Sequence, residues 1–303
     1  MTGIAQNQYP YIVFESQEKK LWNPLTKKKL VLRPEELVRL QWIEAFIHLF
    51  GISKSRISTE EAVLTQFKES TLRADLVIYD QAFKPFILVE CKSNQVELSD
   101  KTALQAGVYN SKIDAPFILI TNGFHDLWFE KADPFWKNLT KPPLRMLSKL
   151  EDHDADYWIQ RGFLGKLIDR ERIKQLLPFM QKSFLNPNHL VRYRTFSQAP
   201  DNLNMNHYYA TFSFNENIYH TSLLSDYRGK TSWWILVTKN GINEKLIYVD
   251  VDAAFADIRP NMWVYQRGKQ TKSSLPSTFF IQINPFDSPE QICHTLVNQS
   301  LTS

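Results

Sequence analysis

Asp75, Glu90 and Lys92 are the residues whose types and spacing point most directly to chemistry. Glu90 and Lys92 close the run Pro85-Phe86-Ile87-Leu88-Val89-Glu90-Cys91-Lys92. Its near-continuous apolar character is that of a central strand covered on both faces. Residues two apart in a strand share a face, so Glu90 and Lys92 project together while Cys91 turns away and offers its carbonyl. Asp75 stands early in the preceding run, Ala74-Asp75-Leu76-Val77-Ile78-Tyr79-Asp80. If the two runs pair as a hairpin, Asp75 approaches Glu90. Two carboxylates beside one position make a hard oxygen site for Mg²⁺. Such an ion polarises a phosphodiester and lowers the pKa of a water, and a lysine beside it orients that water and stabilises the charge that develops on phosphorus. The spacing alone serves a second reading equally well: a structural Glu90–Lys92 ion pair, with Asp75 a solvated strand start.

The elements around these residues are expected as follows. A helix begins at Arg33-Pro34-Glu35-Glu36, with proline at its first position and carboxylates at the positive end of its dipole, and stops at Gly51. Leu37, Leu40, Ile43, Ile47 and Phe50 share one face of it; Glu36 and Glu44 fall within that face and Glu35 does not. Metal ligation would explain those buried carboxylates, and so would pairing with Arg39 or Arg73. Strand-like runs follow at 57–67, 74–80 and 85–92. Ser99 is expected to cap a second helix, with Leu104, Gly107 and Val108 as its buried stripe. Lys101, Gln105 and Tyr109 line up beside that stripe at i, i+4 and i+8, a row suited to a nucleic-acid backbone or to plain helix surface. Phe117-Ile118-Leu119-Ile120 reads as a buried strand ending at the turn Thr121-Asn122-Gly123, and Leu127-Trp128-Phe129 as an edge strand.

The chain of 303 residues is long enough for two domains, and 43% hydrophobic with 22% charged residues is a globular composition. A net charge of +4 is too small to prove nucleic-acid binding, so any such surface must come from local clustering. No apolar run reaches the length of a membrane span, and Cys91 and Cys293 have no metal-type spacing; a reduced cytoplasmic protein is expected. Residues 145–185 read as mostly helical, broken or kinked at Pro178. From about residue 190, aromatic-rich runs (Tyr208–Phe214, Trp233–Val237, Leu246–Val251, Met262–Tyr265, Thr278–Ile283) alternate with polar turns, which predicts a mainly β second domain. Trp233 and Trp234 should put one indole on each face, one buried and one exposed or at an interface. Arg192, Arg194, Arg267, Lys269 and Lys272, with Tyr193, Trp263 and Tyr265, suit either single-strand binding or an ordinary aromatic core. Asp152-His153-Asp154 reads as a loop, and His48 and His125 as structural histidines.

The strings Arg33–Arg39, Arg73–Asp80, Lys84–Lys92, Gln105–Asn110 and Phe117–Gly123, in that order, resemble the N-terminal nuclease domain of type I restriction enzyme R subunits over roughly residues 30–130. The resemblance implies a restriction-endonuclease-like α/β core of the PD-(D/E)XK type, a mixed sheet flanked by helices, with Mg²⁺-dependent cleavage of DNA in which Mn²⁺ can substitute. It makes Asp75 and Glu90 metal ligands, Lys92 the catalytic lysine and Glu36 the helical acidic residue; on the strand and helix reading, the Cys91 carbonyl and Glu36 would help to hold the ion. Gln105 and Tyr109 match a Gln-x-x-x-Tyr element, and Lys101 and Arg73 join them as nucleic-acid-binding or accessory residues. The first motif reads Ala-Asp rather than Pro-Asp, which keeps the carboxylate. A P-loop for a translocating motor is missing: Gly229-Lys230-Thr231 would need its first glycine at Leu224. The expectation is a free-standing DNA nuclease module for restriction or defence, in three parts: 1–143 nuclease-like, 144–188 a helical connector, and 189–303 a mainly β domain that selects substrate, senses a signal or mediates assembly with a second copy or a protein partner. A nucleic-acid-binding module with an inactive or partner-dependent nuclease fold, and an RNA nuclease, remain the alternatives.

Overall fold

Pro85–Cys91, the apolar run that ends in the candidate site, forms the third strand of a six-stranded sheet. The computed structural model describes residues 3–59, 74–147, 153–195, 205–284 and 286–300. The chain divides into two units, Met1–Val13 with Lys19–Glu151, and Phe14–Glu18 with Asp152–Ser303. β1 (Tyr11–Glu15), β2 (Glu18–Asn23) and β3 (Lys28–Leu30) make a small sheet in that order. The six-stranded sheet takes β4 (Ile57–Thr59), β5 (Leu76–Tyr79), β6 (Pro85–Cys91), β7 (Phe117–Thr121), β8 (Asp126–Ala132) and β9 (Phe135–Leu139) in chain order. All neighbours are antiparallel except β6 and β7, which run parallel because α2 (Asp100–Ile113) makes the crossover between them. This is an α/β unit with a mixed sheet. The strand at 127–129 is not an edge: β8 lies inside the sheet, and β9 takes the edge.

α1 (Pro34–His48) starts with proline in its first turn and Glu35 and Glu36 behind it, where they face the helix dipole. From Leu37 onward it is buried over most of its girth. Trp42 packs on Phe46 at 5.2 Å and on Trp128 of β8 at 5.8 Å, so α1 covers the sheet face that Trp128 shares with Leu119 and Val89. Trp42 is fully buried, and we expect Trp42→Ala to cost about 3–5 kcal/mol, read as a lowered urea midpoint. Glu44 is buried, with its Oε2 3.4 Å from His48 Nε2 one turn on.

α2 covers the opposite face, where Ala106 packs with Val77, Leu88, Ile118 and Ile120. Its buried stripe is Thr102–Ala106–Asn110, whereas Leu104 and Val108 are exposed and Gly107 faces open space, contrary to the sequence expectation. Small residues let the helix axis come close to the sheet, and Asn110 has work there: its side chain bonds both the carbonyl and the N–H of Ala115, at 2.8 and 3.0 Å, fixing the turn into β7. Ser99 holds the cap position without a side-chain bond to the helix backbone.

The second unit is a seven-stranded antiparallel sheet in chain order: β10 (Leu190–Arg194), β11 (His207–Phe214), β12 (Asn217–Ser225), β13 (Thr231–Lys239), β14 (Ile242–Asp250), β15 (Met262–Gln266) and β16 (Lys269–Ser273). It is mainly β, with departures from expectation. Thr278–Gln282 is a helix rather than a strand, and Pro289–Gln299 forms another, opened by a Ser288/Gln291 capping box. Among the described residues of 145–185 there are a helix at Ala155–Gln160, a 3₁₀ turn at Arg172–Gln175 and a helix at Leu177–Phe184, which Pro178 starts rather than breaks. Trp233 and Trp234 are both buried, because each indole N–H finds a partner: Thr221 Oγ1 at 2.8 Å and Ser232 Oγ at 2.9 Å. Asp154 caps the helix at Ala155, and His153 stacks on Tyr157. Arg192 and Arg194 lie on edge strand β10, and Lys269 and Lys272 on the opposite edge, β16, so these cations do not form one patch. Among the described residues no helix is long and apolar enough to cross a membrane. Both cysteines are buried and free.

Candidate active site

Register brings the predicted residues together. Leu76 pairs with Val89 in the antiparallel β5–β6 ladder, so one step further Asp75 comes opposite Glu90. Glu90 shares a face with Leu88, the face that α2 covers. β5 begins only at Leu76, which leaves the Cys91 N–H without a strand partner on that side; Asp75 Oδ2 accepts it at 2.6 Å. On the other side the ladder runs one residue further, with the Lys92 N–H donating to the Thr121 carbonyl at 2.8 Å. Lys92 Nζ reaches back to Glu90 Oε1 at 2.6 Å.

Glu90 carries the electrostatic load of the site. Burial, and then the charge of Asp75, push its pKa up to about 7 against the opposing pull of Lys92, and Glu35 adds to the rise. Burial works against the Lys92 ammonium too, but the bond and charge of Glu90 outweigh it and lift the lysine above its ordinary value. The proton therefore stays on Lys92, and the surplus negative charge falls on Glu90. Its second oxygen, Oε2, is buried and has no hydrogen-bond partner among the described residues. A buried carboxylate oxygen with no donor is costly. Burial raises the Cys91 thiol well above the usual range, so the sulfur stays protonated, and it is the Cys91 N–H that meets Asp75.

α1 contributes more than Glu36. Arg39 NH2 lies 2.9 Å from Asp75 Oδ1, and its NH1 lies 3.2 Å from Glu36 Oε1. The sequence placed Arg39 only as a pairing partner and put Glu35 off the working face, yet the charge of Glu35 acts on both Glu90 and Lys92. The legible signal was the pair of carboxylates in the first turn of α1, with Arg39 three and four residues on. Arg73 and the side chains of Lys101, Gln105 and Tyr109 lie outside the described residues.

Behind the site a buried network ties β7 to α1. Trp42 Nε1 donates to Thr121 Oγ1 at 3.1 Å, and Thr121 Oγ1 donates to Asp126 Oδ1 at 2.7 Å. Asp126 Oδ2 accepts the Ile4 N–H at 2.7 Å. Burial pushes Asp126 up to about 6, against the bonds from Thr121 and Ile4.

The donors can be tested against the ion that the resemblance implies. Among the described residues no group of three or more His, Cys, Asp or Glu is placed to hold a metal ion, so the protein offers an ion at most two carboxylates here. Mg²⁺ does not require more, since it commonly keeps several waters and takes one or two carboxylates plus substrate phosphate. The orphaned Glu90 Oε2 and the repulsion from Asp75 are the burdens that a divalent cation would relieve, so the residues fit.

Residues 34–137, about a third of the chain, match the family model described as the type I restriction enzyme R protein N terminus. No curated protein and no solved structure matches the chain significantly. The family match takes in all of Glu36, Arg39, Asp75, Glu90, Cys91 and Lys92, and supports the resemblance read from their motifs.

Proposed function

We propose that the first unit is a metal-dependent nuclease that hydrolyses DNA phosphodiester bonds, in a restriction or defence role. The observation that carries this reading is the buried Glu90 Oε2, which has no donor among the described residues, beside Asp75 and Lys92. Asp75 and Glu90, with the Cys91 carbonyl, would hold Mg²⁺ or Mn²⁺, which when bound polarises the phosphodiester and acidifies a water. Lys92, fixed on the strand end by its main-chain bond to Thr121, orients the attacking water and offers positive charge to the developing phosphorane. Glu36 acts through Arg39, which it anchors on α1.

Because Glu90 must lose its proton to hold an ion, ion affinity follows its titration. With the pKa at about 7, apparent Mn²⁺ affinity is flat above that pH and falls by up to about tenfold per unit below it. Calorimetric titrations between pH 5.5 and 8.5 measure this; affinity independent of pH would mean that no ligand with a pKa near 7 controls ion binding.

A second reading is favoured by Asp75, whose two oxygens are both occupied by Arg39 and the Cys91 N–H: a fold that binds DNA but cuts only with a partner. The deciding experiment incubates the full chain with linear, circular, single-stranded and modified DNA in Mg²⁺ or EDTA, beside a gel-shift assay. Cutting that EDTA abolishes supports the first reading. Binding without cutting on every form favours the second.

A further inference from the structure

We propose that Arg39 is a built-in counter-cation that competes with a divalent ion for Asp75 and so holds the ion affinity of this site down. The inference rests on the reading of Asp75 and Glu90 as ion ligands and adds its regulation. The guanidinium spans two carboxylates from different elements, Asp75 Oδ1 at 2.9 Å and Glu36 Oε1 at 3.2 Å. Asp75 is the carboxylate that this guanidinium shares with the proposed ion site. The three side chains are 13%, 13% and 19% exposed, so water screens them only in part.

The two acids of the strand pair differ in what is left for an ion. Glu90 has one oxygen on Lys92 and one with no donor among the described residues. Asp75 carries a donor on each oxygen, from Arg39 and from the Cys91 N–H. The main-chain donor is fixed by the strand. The guanidinium stands on a side chain, and it is the one that can yield. An arginine stays charged at any working pH, so protonation cannot relieve this competition. Among the described residues, Arg39 and Lys92 are the cations that ion-pair with Glu36, Asp75 and Glu90, so removing Arg39 leaves these acids with less positive charge beside them. The opposite role, in which Arg39 only orients Asp75 for the ion, predicts an effect of opposite sign, because loss of an orienting partner weakens ion binding.

The test is a Mn²⁺ titration of the full chain without DNA, following free Mn²⁺ by electron paramagnetic resonance. Arg39→Gln keeps a hydrogen-bond donor and removes the charge; it should bind Mn²⁺ tighter by on the order of tenfold. Arg39→Lys keeps the charge and should stay within about twofold of the unaltered chain. Glu90→Gln should lose the binding. If Arg39→Gln is too unstable to titrate, melting with and without Mn²⁺ reads the same quantity, and its Mn²⁺-induced rise in Tm must exceed that of the unaltered chain. Equal or weaker Mn²⁺ binding by Arg39→Gln overturns the counter-cation role and leaves the ion site standing. If the unaltered chain binds no Mn²⁺, or Glu90→Gln binds it equally well, the ion site itself falls.

Discussion

Lys92→Met is expected to lower Mg²⁺-dependent DNA cleavage by about 10²–10³-fold, the loss typical of removing one group that stabilises developing charge. The unit should stay folded, because Lys92 contributes to the sheet through its main chain: its N–H bonds the Thr121 carbonyl at 2.8 Å whatever the side chain. Methionine keeps most of the stem and removes the amine. Glu90 then loses the partner that opposes its raised pKa, so the rate should be measured near pH 8.5, where the carboxylate remains ionised and ion binding is not the step under test. Single-turnover rates on plasmid DNA with near-ultraviolet circular dichroism as the fold control give the result. Undiminished cleavage by a folded Lys92→Met variant removes lysine from the mechanism.

Glu90→Gln should abolish cleavage and yet make the ion-free protein more stable at alkaline pH. A carboxyl whose folded pKa is about 7 against a reference of 4.5 binds its proton more tightly folded than unfolded. The unfolded chain releases that proton first, so the penalty is absent below the reference value, grows as pH rises through the interval, and is complete above the folded pKa. Glutamine removes the charge and with it a cost on the order of 2 kcal/mol. Urea denaturation in EDTA should therefore show a gain for the variant at pH 8 and none at pH 4.5. With Mn²⁺ added at pH 8, the order should reverse, since only the carboxylate form gains from the ion. A variant no more stable than the parent at pH 8 would mean that Glu90 carries no such burden.

The site was legible because its determinants are short-range. The apolar run before Glu90, the two-residue spacing to Lys92 and an antiparallel partner starting at Leu76 fix where three side chains go. Arg39 was less legible because its place at Asp75 depends on how α1 lies at the sheet end, which helical periodicity does not encode. α2 misled for a related reason: Leu104 and Val108 mark an apolar stripe, but the close approach of a helix to a sheet selects Ala106 and Thr102 instead. In the second unit, aromatic density reads as strand through Thr278–Ile283. There Phe279 and Phe280 are buried at neighbouring positions, as in a helix packed on more than one side. The last helix, which Ser288 and Gln291 open with a capping box, lies beyond the last run read from the sequence.

Thr121 receives the Lys92 amide on its carbonyl, and through its hydroxyl it joins Trp42, Asp126 and the Gly123 N–H. The amide of the proposed catalytic lysine is thereby latched to the innermost layer of its unit. Its deuterium uptake should be as slow as that of the core amides, and fraying at the sheet margins should leave it untouched. Adaptation to different DNA shapes would then have to come from segments outside this latch.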